Sequence, residues 1–310
     1  MKHKTRFIRF MKKRLCSASV CVVFLLLLFT GSCKLPAKNN DTSPTSYEAF
    51  LEEIFCHEIA ENTINLHFSL AHPENMGITD YDITLGDLSN EAFSNTSARL
   101  ENYLNKLQQY DKNQLSTSNQ LTYDILTDYF SHQLKMSDYT LYEEPLTHAS
   151  GIHSQLPILF EEYIFYDEKD IQDYLELLSQ VDDYFKQIMD FEKEKAAAGL
   201  FMSDYACQKV IDQCNDFIAS AKDHFLIQTF ESRISSLKDL SPEEKDAYIY
   251  QNEQLVKIEL VKAYQYLADE MNALLGSGTN HQGLCYFPEG KAYYEQLYYY
   301  YTGCSDEIPA

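Results

Sequence analysis

Between Ile171 and Met189, apolar side chains recur at spacings of three and four: Ile171, Tyr174, Leu175, Leu178, Val181, Phe185, Ile188 and Met189. Such spacing lays one buried stripe along an amphipathic helix. Asp167, just upstream, is placed to accept the free amides of a first turn. After Ala196-Ala197-Ala198, Gly199 offers a left-handed C-terminal cap. A second long helix is predicted from Ser241-Pro242-Glu243-Glu244, with serine as cap, proline first in the helix and Glu244 completing a capping box. Its stripe takes in Leu255, Ile258, Val261, Tyr264, Leu267, Met271 and Leu274, and Gly276 closes it. Weaker helical patterns cover 46–70, 89–110, 117–135, 203–221 and 288–301, while 71–88, 138–157 and 276–287 have the composition of loops. No run alternates with a period of two long enough to demand a sheet, and no repeat of solenoid length is visible. The expected fold class is all-α, a bundle of long antiparallel helices.

The N-terminus breaks this pattern. Seven basic residues and no acidic one lie within 1–32, and an unbroken apolar run of ten residues extends from Val20 to Phe29. A membrane-spanning helix needs about 20 residues, so the run reads as the core of a secretory signal. Thr30-Gly31-Ser32-Cys33 resembles a bacterial lipobox, with Thr30 where leucine is commonest. The resemblance implies cleavage before Cys33 and a diacylglycerol on its thiol. The expected organisation is a lipoprotein signal peptide over 1–32, a flexible tether over 33–45, a helical domain over 46–304 and a tail over 305–310. Cys33 is thus the expected lipid attachment site. The membrane becomes a partner through that lipid, and the location is extracytoplasmic, anchored to the bacterial cell membrane.

Composition narrows the function classes. The chain has 25 Lys and Arg against 47 Asp and Glu, a net charge of −22. Without residues 1–32 it holds 18 basic and 47 acidic residues, near −29. Such a surface repels phosphate backbones, so no nucleic-acid partner is expected. Ten glycines and no glycine-rich phosphate loop argue against nucleotide binding. Eighteen Phe and 24 Tyr are too much apolar surface for a disordered chain. Beyond Cys33 the remaining cysteines are Cys56, Cys207, Cys214, Cys285 and Cys304, without a CxxC pair. Cys207 and Cys214, on one helix, lie about 10 Å apart along its axis, too far to bridge. A Cys285–Cys304 bridge is compatible with the sequence, but buried free thiols are the expected state.

Candidate chemistry is sparse. His57-Glu58-Ile59-Ala60-Glu61 has the form of a zinc-binding HExxH helix with Glu61 in place of the second histidine. His67 lies on roughly the same face, about 15 Å further along a straight helix. A third ligand would have to come from elsewhere, such as His132 or His224, and no spacing predicts that convergence. No G-x-S-x-G elbow or S-x-x-K box occurs. Cys56 and His57, adjacent on a helix, point about 100° apart. No catalytic or metal residue is therefore assigned. The cluster Tyr293, Tyr294, Tyr298, Tyr299, Tyr300 and Tyr301 has two readings: a sugar- or peptide-binding groove lined by Tyr293, Tyr294 and Tyr298, or a helix end packing its rings inward.

Several stretches, in order, resemble the bacterial family known as domain of unknown function 885. They are His72-Pro73-Glu74-Asn75-Met76-Gly77-Ile78 with Leu88-Ser89-Asn90-Glu91-Ala92; Gly151 with Leu156-Pro157-Ile158-Leu159; and Gly283 through Tyr294, containing Pro288-Glu289-Gly290 and Tyr293-Tyr294, followed by Thr302-Gly303. The resemblance implies a helical zinc metallopeptidase, commonly a lipoprotein of about twice this length. The family's metal site lies downstream, in a His-Glu-Gly-x-Pro-Gly-His-His motif that nothing in 1–310 matches. The chain therefore looks like the family's N-terminal half, with zinc implied only for the other half and no cofactor in this one. Ser305 through Ala310 do not resemble the family's continuation, which implies a truncated or frameshifted product or a separately encoded catalytic half as partner. The leading functional expectation is a non-catalytic half, inactive alone. The alternative is a lipid-anchored peptide- or sugar-binding scaffold, and a weaker third is a metal enzyme built on His57, Glu58 and Glu61.

Overall fold

The computed structural model describes residues 46–304, and all regular structure among them is helical. The signal peptide, Cys33, the tether and the 305–310 tail lie outside the described residues. In chain order the α-helices are α1 (Tyr47–Ala60), α2 (Thr63–Ser69), α3 (Asn90–Leu107), α4 (Thr117–Met136), α5 (Ile152–Glu162), α6 (Glu168–Ser179), α7 (Val181–Ala197), α8 (Asp204–Ser220), α9 (Phe225–Ser235), α10 (Pro242–Gln254), α11 (Val261–Ala273) and α12 (Gly290–Thr302).

The stripe from Ile171 to Met189 is buried at every position and forms the spine of the larger core, packed against α5, α8, α9 and α11. Its start is capped as the sequence predicts: the Asp167 carboxylate accepts from the Asp170 N–H, and the Asp170 carboxylate accepts from the N–H groups of Asp167 and Tyr166. The helix swivels once, at Gln180, so it is α6 and α7 rather than one rod. Gly199 follows α7 with φ +73°. A second core holds α1, α3 and α4 together through Phe50, Leu51, Ile54, Tyr103, Leu107 and Phe130.

Three expectations are corrected. The 46–70 helix is two helices, broken where Asn62 caps α2 by accepting from the Asn65 N–H. The 138–157 loop contains a 3-10 turn at Ser137–Tyr142 and the first half of α5. Pro157 sits inside α5, where it cannot donate to the carbonyl four residues back. That carbonyl, His153 O, instead accepts the buried Tyr264 hydroxyl at 2.5 Å, so the helix survives the proline. Ile258, placed in the buried stripe by spacing, is 42% exposed. A π-turn over Leu255–Leu260 joins α10 to α11, and its wider i→i+5 pitch turns Val256 and Leu260 inward instead.

Candidate functional site

The His57 face lies at the end of α1. There the Arg99 guanidinium, reaching across from α3, donates through Nε to Glu58 Oε1 and through Nη2 to Glu61 Oε2, both at 2.9 Å. His57 Nδ1 stands 3.8 Å from Glu58 and 3.7 Å from Glu61. A catalytic zinc does not fit this donor set: it offers one histidine, and the Arg99 guanidinium already engages both carboxylates. His67 does not join it. Beyond the break at Asn62, its ring stacks on Tyr163 at 3.6 Å, Nδ1 lies 3.4 Å from Asp170 and Nε2 accepts from the Ile164 N–H. The other two histidines are also committed elsewhere. His132 packs beside Tyr299 and Tyr300, and His224 caps α9 by accepting from the Leu226 N–H. Among the described residues no group of three His, Cys, Asp or Glu side chains is arranged to hold a metal ion.

Beside His57 opens a cleft of about 690 Å³ between α1, α3 and the 80–87 loop. Tyr81 forms part of its wall and is tied to α6: its hydroxyl donates to Asp173 at 3.1 Å and accepts from the Lys169 ammonium at 2.6 Å. Lys169 also bridges to Asp173, which is almost fully buried. This triangle fastens the 71–88 loop to the main core.

The two thiols of α8 are not poised as nucleophiles. Cys207 and Cys214 are buried on α8, and desolvation pushes both up to about 12. Cys207 and Cys214 are free and buried, whereas Cys285 and Cys304 are free but exposed, contrary to the expectation of burial. The tyrosine helix α12 divides its rings. Tyr293 is buried against Tyr142 at 4.4 Å and Tyr139 at 5.6 Å, whereas Tyr294 is exposed and Tyr298 half-buried. Tyr299 donates to Asp128 on α4 at 2.5 Å. Neither cleft described here includes Tyr293, Tyr294 or Tyr298 in its lining.

A second cleft, of about 400 Å³, lies between Gly199 and the loop that leads into α12. Two glycines pin this loop at its ends. A Cβ on Gly278 would stand 2.2 Å from the Met202 carbonyl oxygen, and one on Gly290 would stand 1.9 Å from that of Leu284. Gly290→Ala is therefore expected to displace the 284–286 turn and to cost about 1–3 kcal/mol, as inserted bulk does in packed sites. Thermal unfolding of the two chains side by side measures it. Between these pins, Glu289 is the one non-glycine residue of the described chain with positive φ, at +55°. Spacing rules did not find this cleft, or Arg99. The one available signal was the Pro288-Glu289-Gly290 run, whose glycine is required by close backbone approach.

The family model described as "Bacterial protein of unknown function (DUF885)" matches residues 73–308. Among solved structures, the chain is similar to the crystal structure titled as a "putative lipoprotein" from Colwellia psychrerythraea. The TM-score is 0.70 at 17% identity, covering 83% of this chain and 46% of that one. The chain thus spans about half the length of that structure, and at this identity the likeness speaks to the fold. No curated protein matches the sequence. The resemblance read from short motifs and the family match over three quarters of the chain coincide, and the chain belongs to the DUF885 family of bacterial proteins.

Proposed function

We propose that this chain is the non-catalytic helical half of a metallopeptidase-like lipoprotein. Lipid on Cys33 holds it at the extracytoplasmic face of the bacterial membrane, and its helical module shapes one wall of a substrate cleft. The observation that carries this reading is the family match over 73–308 in a chain that spans 46% of its structural neighbour. The geometry at His57 supports it, since Arg99 engages one oxygen of each of the two carboxylates beside the lone histidine. No helix among the described residues is long and apolar enough to cross a membrane.

Elemental analysis of the dialysed full-length chain, beside a peptidase assay with added zinc, tests the catalytic part. A catalytic zinc site needs about three converging protein ligands and an open position. The expected result is no stoichiometric zinc and no zinc-dependent cleavage. About one tightly held zinc per chain, lost together with activity in His57→Ala, overturns the reading. For the anchor, Cys33→Ser is expected to release the protein from membranes or to block its processing. Unchanged lipid labelling and unchanged membrane fractionation in that variant would remove the lipid from the proposal.

A further inference from the structure

The cleft between Gly199 and the α12 loop differs from the rest of the surface in its charge. The chain carries 47 acidic and 25 basic residues, yet residues 279–282 and 286–288, which line this cleft with Gly199, include no Asp, Glu, Lys or Arg. An ion gains nothing from such a wall. The groups present suit an uncharged ligand with many hydroxyls. Tyr286 stands at the edge with 63% of its surface exposed, a flat apolar face with a polar tip.

Around it the polar side chains fall into two kinds. Asn280 is spent on the loop itself: its amide nitrogen donates to the Gly283 carbonyl at 2.7 Å and its oxygen accepts from the Gln282 N–H at 2.9 Å. Thr279, His281 and Gln282 make no side-chain hydrogen bond among the described residues, so a hydroxyl, a ring nitrogen and a carboxamide remain available in the lining. The volume, about 400 Å³, falls within the roughly 300–1,000 Å³ of small-ligand sites. The wall is also held in place. The close approaches at Gly278 and Gly290 and the strained backbone of Glu289 pin the loop on both sides. Strained non-glycine backbone of this kind persists only where the surroundings over-determine it, and it concentrates at ligand sites.

We propose that this cleft binds a neutral saccharide. The C–H face of one sugar ring stacks on Tyr286, while hydroxyls at its edge exchange hydrogen bonds with Gln282 and His281. The site is independent of the half-module reading above and stands or falls without it.

The test is isothermal titration of the full-length chain, held in a detergent without a sugar headgroup. The probes are three uncharged oligosaccharides, chitotetraose, cellotetraose and maltotetraose, beside an uncharged acetyl-tetraalanine amide. At least one sugar is expected to bind at micromolar to millimolar concentration. Tyr286→Ala is expected to weaken that binding about tenfold, and Gln282→Ala several-fold. Tyr286→Phe, which keeps the ring face, is expected to bind nearly as well as the parent. Because Tyr286 is largely exposed, its variants are expected to unfold at the parent temperature, so lost binding is separable from lost fold. The proposal is overturned if no sugar binds, if Tyr286→Ala and Gln282→Ala leave sugar binding unchanged, or if only the alanine peptide binds.

Discussion

Replacing Phe185 with alanine is expected to remove about 3–5 kcal/mol of stability, the cost of deleting a phenyl ring from a packed core. Phe185 is fully buried on α7, and its ring meets Tyr264 of α11 edge-on with centroids 5.1 Å apart. Tyr264 cannot move to fill the space. Its ring is stacked on Phe217 of α8 at 3.7 Å, and its hydroxyl is committed to His153 O on α5. Tyr264 thus cannot close on the hole without giving up its contacts to α8 and α5. Against the 5–15 kcal/mol of a typical domain, the loss is a large share of the total. Urea unfolding should show the midpoint fall at unchanged slope. Phe185→Leu, which keeps most of the volume, should lose much less. A loss below about 1 kcal/mol in the alanine variant would mean that the core collapses around the site.

The second large effect depends on pH and belongs to Glu192. This side chain is fully buried on α7, with Lys195 Nζ 3.9 Å away and itself donating to the Glu143 carbonyl at 2.6 Å. Burial raises the Glu192 carboxyl to about 7, and Glu144 adds to the rise; Lys195 and, weakly, the Leu146 amide pull the other way without offsetting the desolvation. The folded state thus holds its proton more tightly than the unfolded state, whose carboxyl titrates near its ordinary 4.5. The stabilising contribution is complete below that ordinary value and is lost as the pH rises through about 7. Across this window the loss amounts to about 3 kcal/mol. Glu192→Gln carries no such titration. Its stability relative to the parent should be near zero at pH 4 and should grow to about 3 kcal/mol in its favour by pH 8. Parallel unfolding curves at several pH values would decide it, and a difference that does not change with pH would refute the assignment.

Glu192 also marks where spacing rules stopped short. The stripe Ile171 to Met189 was legible because apolar side chains alone fill it, and both long helices announced their starts through Asp167 and Ser241. Continued by the same steps of three and four, that stripe reaches Glu192 and Lys195, both buried. Their polarity hid the continuation. Helix α9 went unnoticed because its cap is His224 rather than one of the usual Ser, Asp or Asn caps, and α5 because Gly151 and Pro157 both signal a loop. At the candidate site the shared face of His57 and Glu61 was visible from spacing. Arg99, which decides what that face can bind, comes from another helix and is 38 residues from Glu61. The saccharide cleft depends on how closely backbone approaches backbone at Gly278 and Gly290, and no periodicity encodes that.

The π-turn at Leu255–Leu260 makes the long α10–α11 rod unequally tolerant of changes in length. Dropping one residue from an ordinary α-helix rotates everything beyond it by about 100°, and would swing Tyr264, Leu267 and Met271 out of the core. Inside the π-turn the surplus residue is already present, so losing one there restores the common pitch and leaves both flanking stripes facing inward. Ile258, exposed at the crest of that turn, is the residue the rod can best do without.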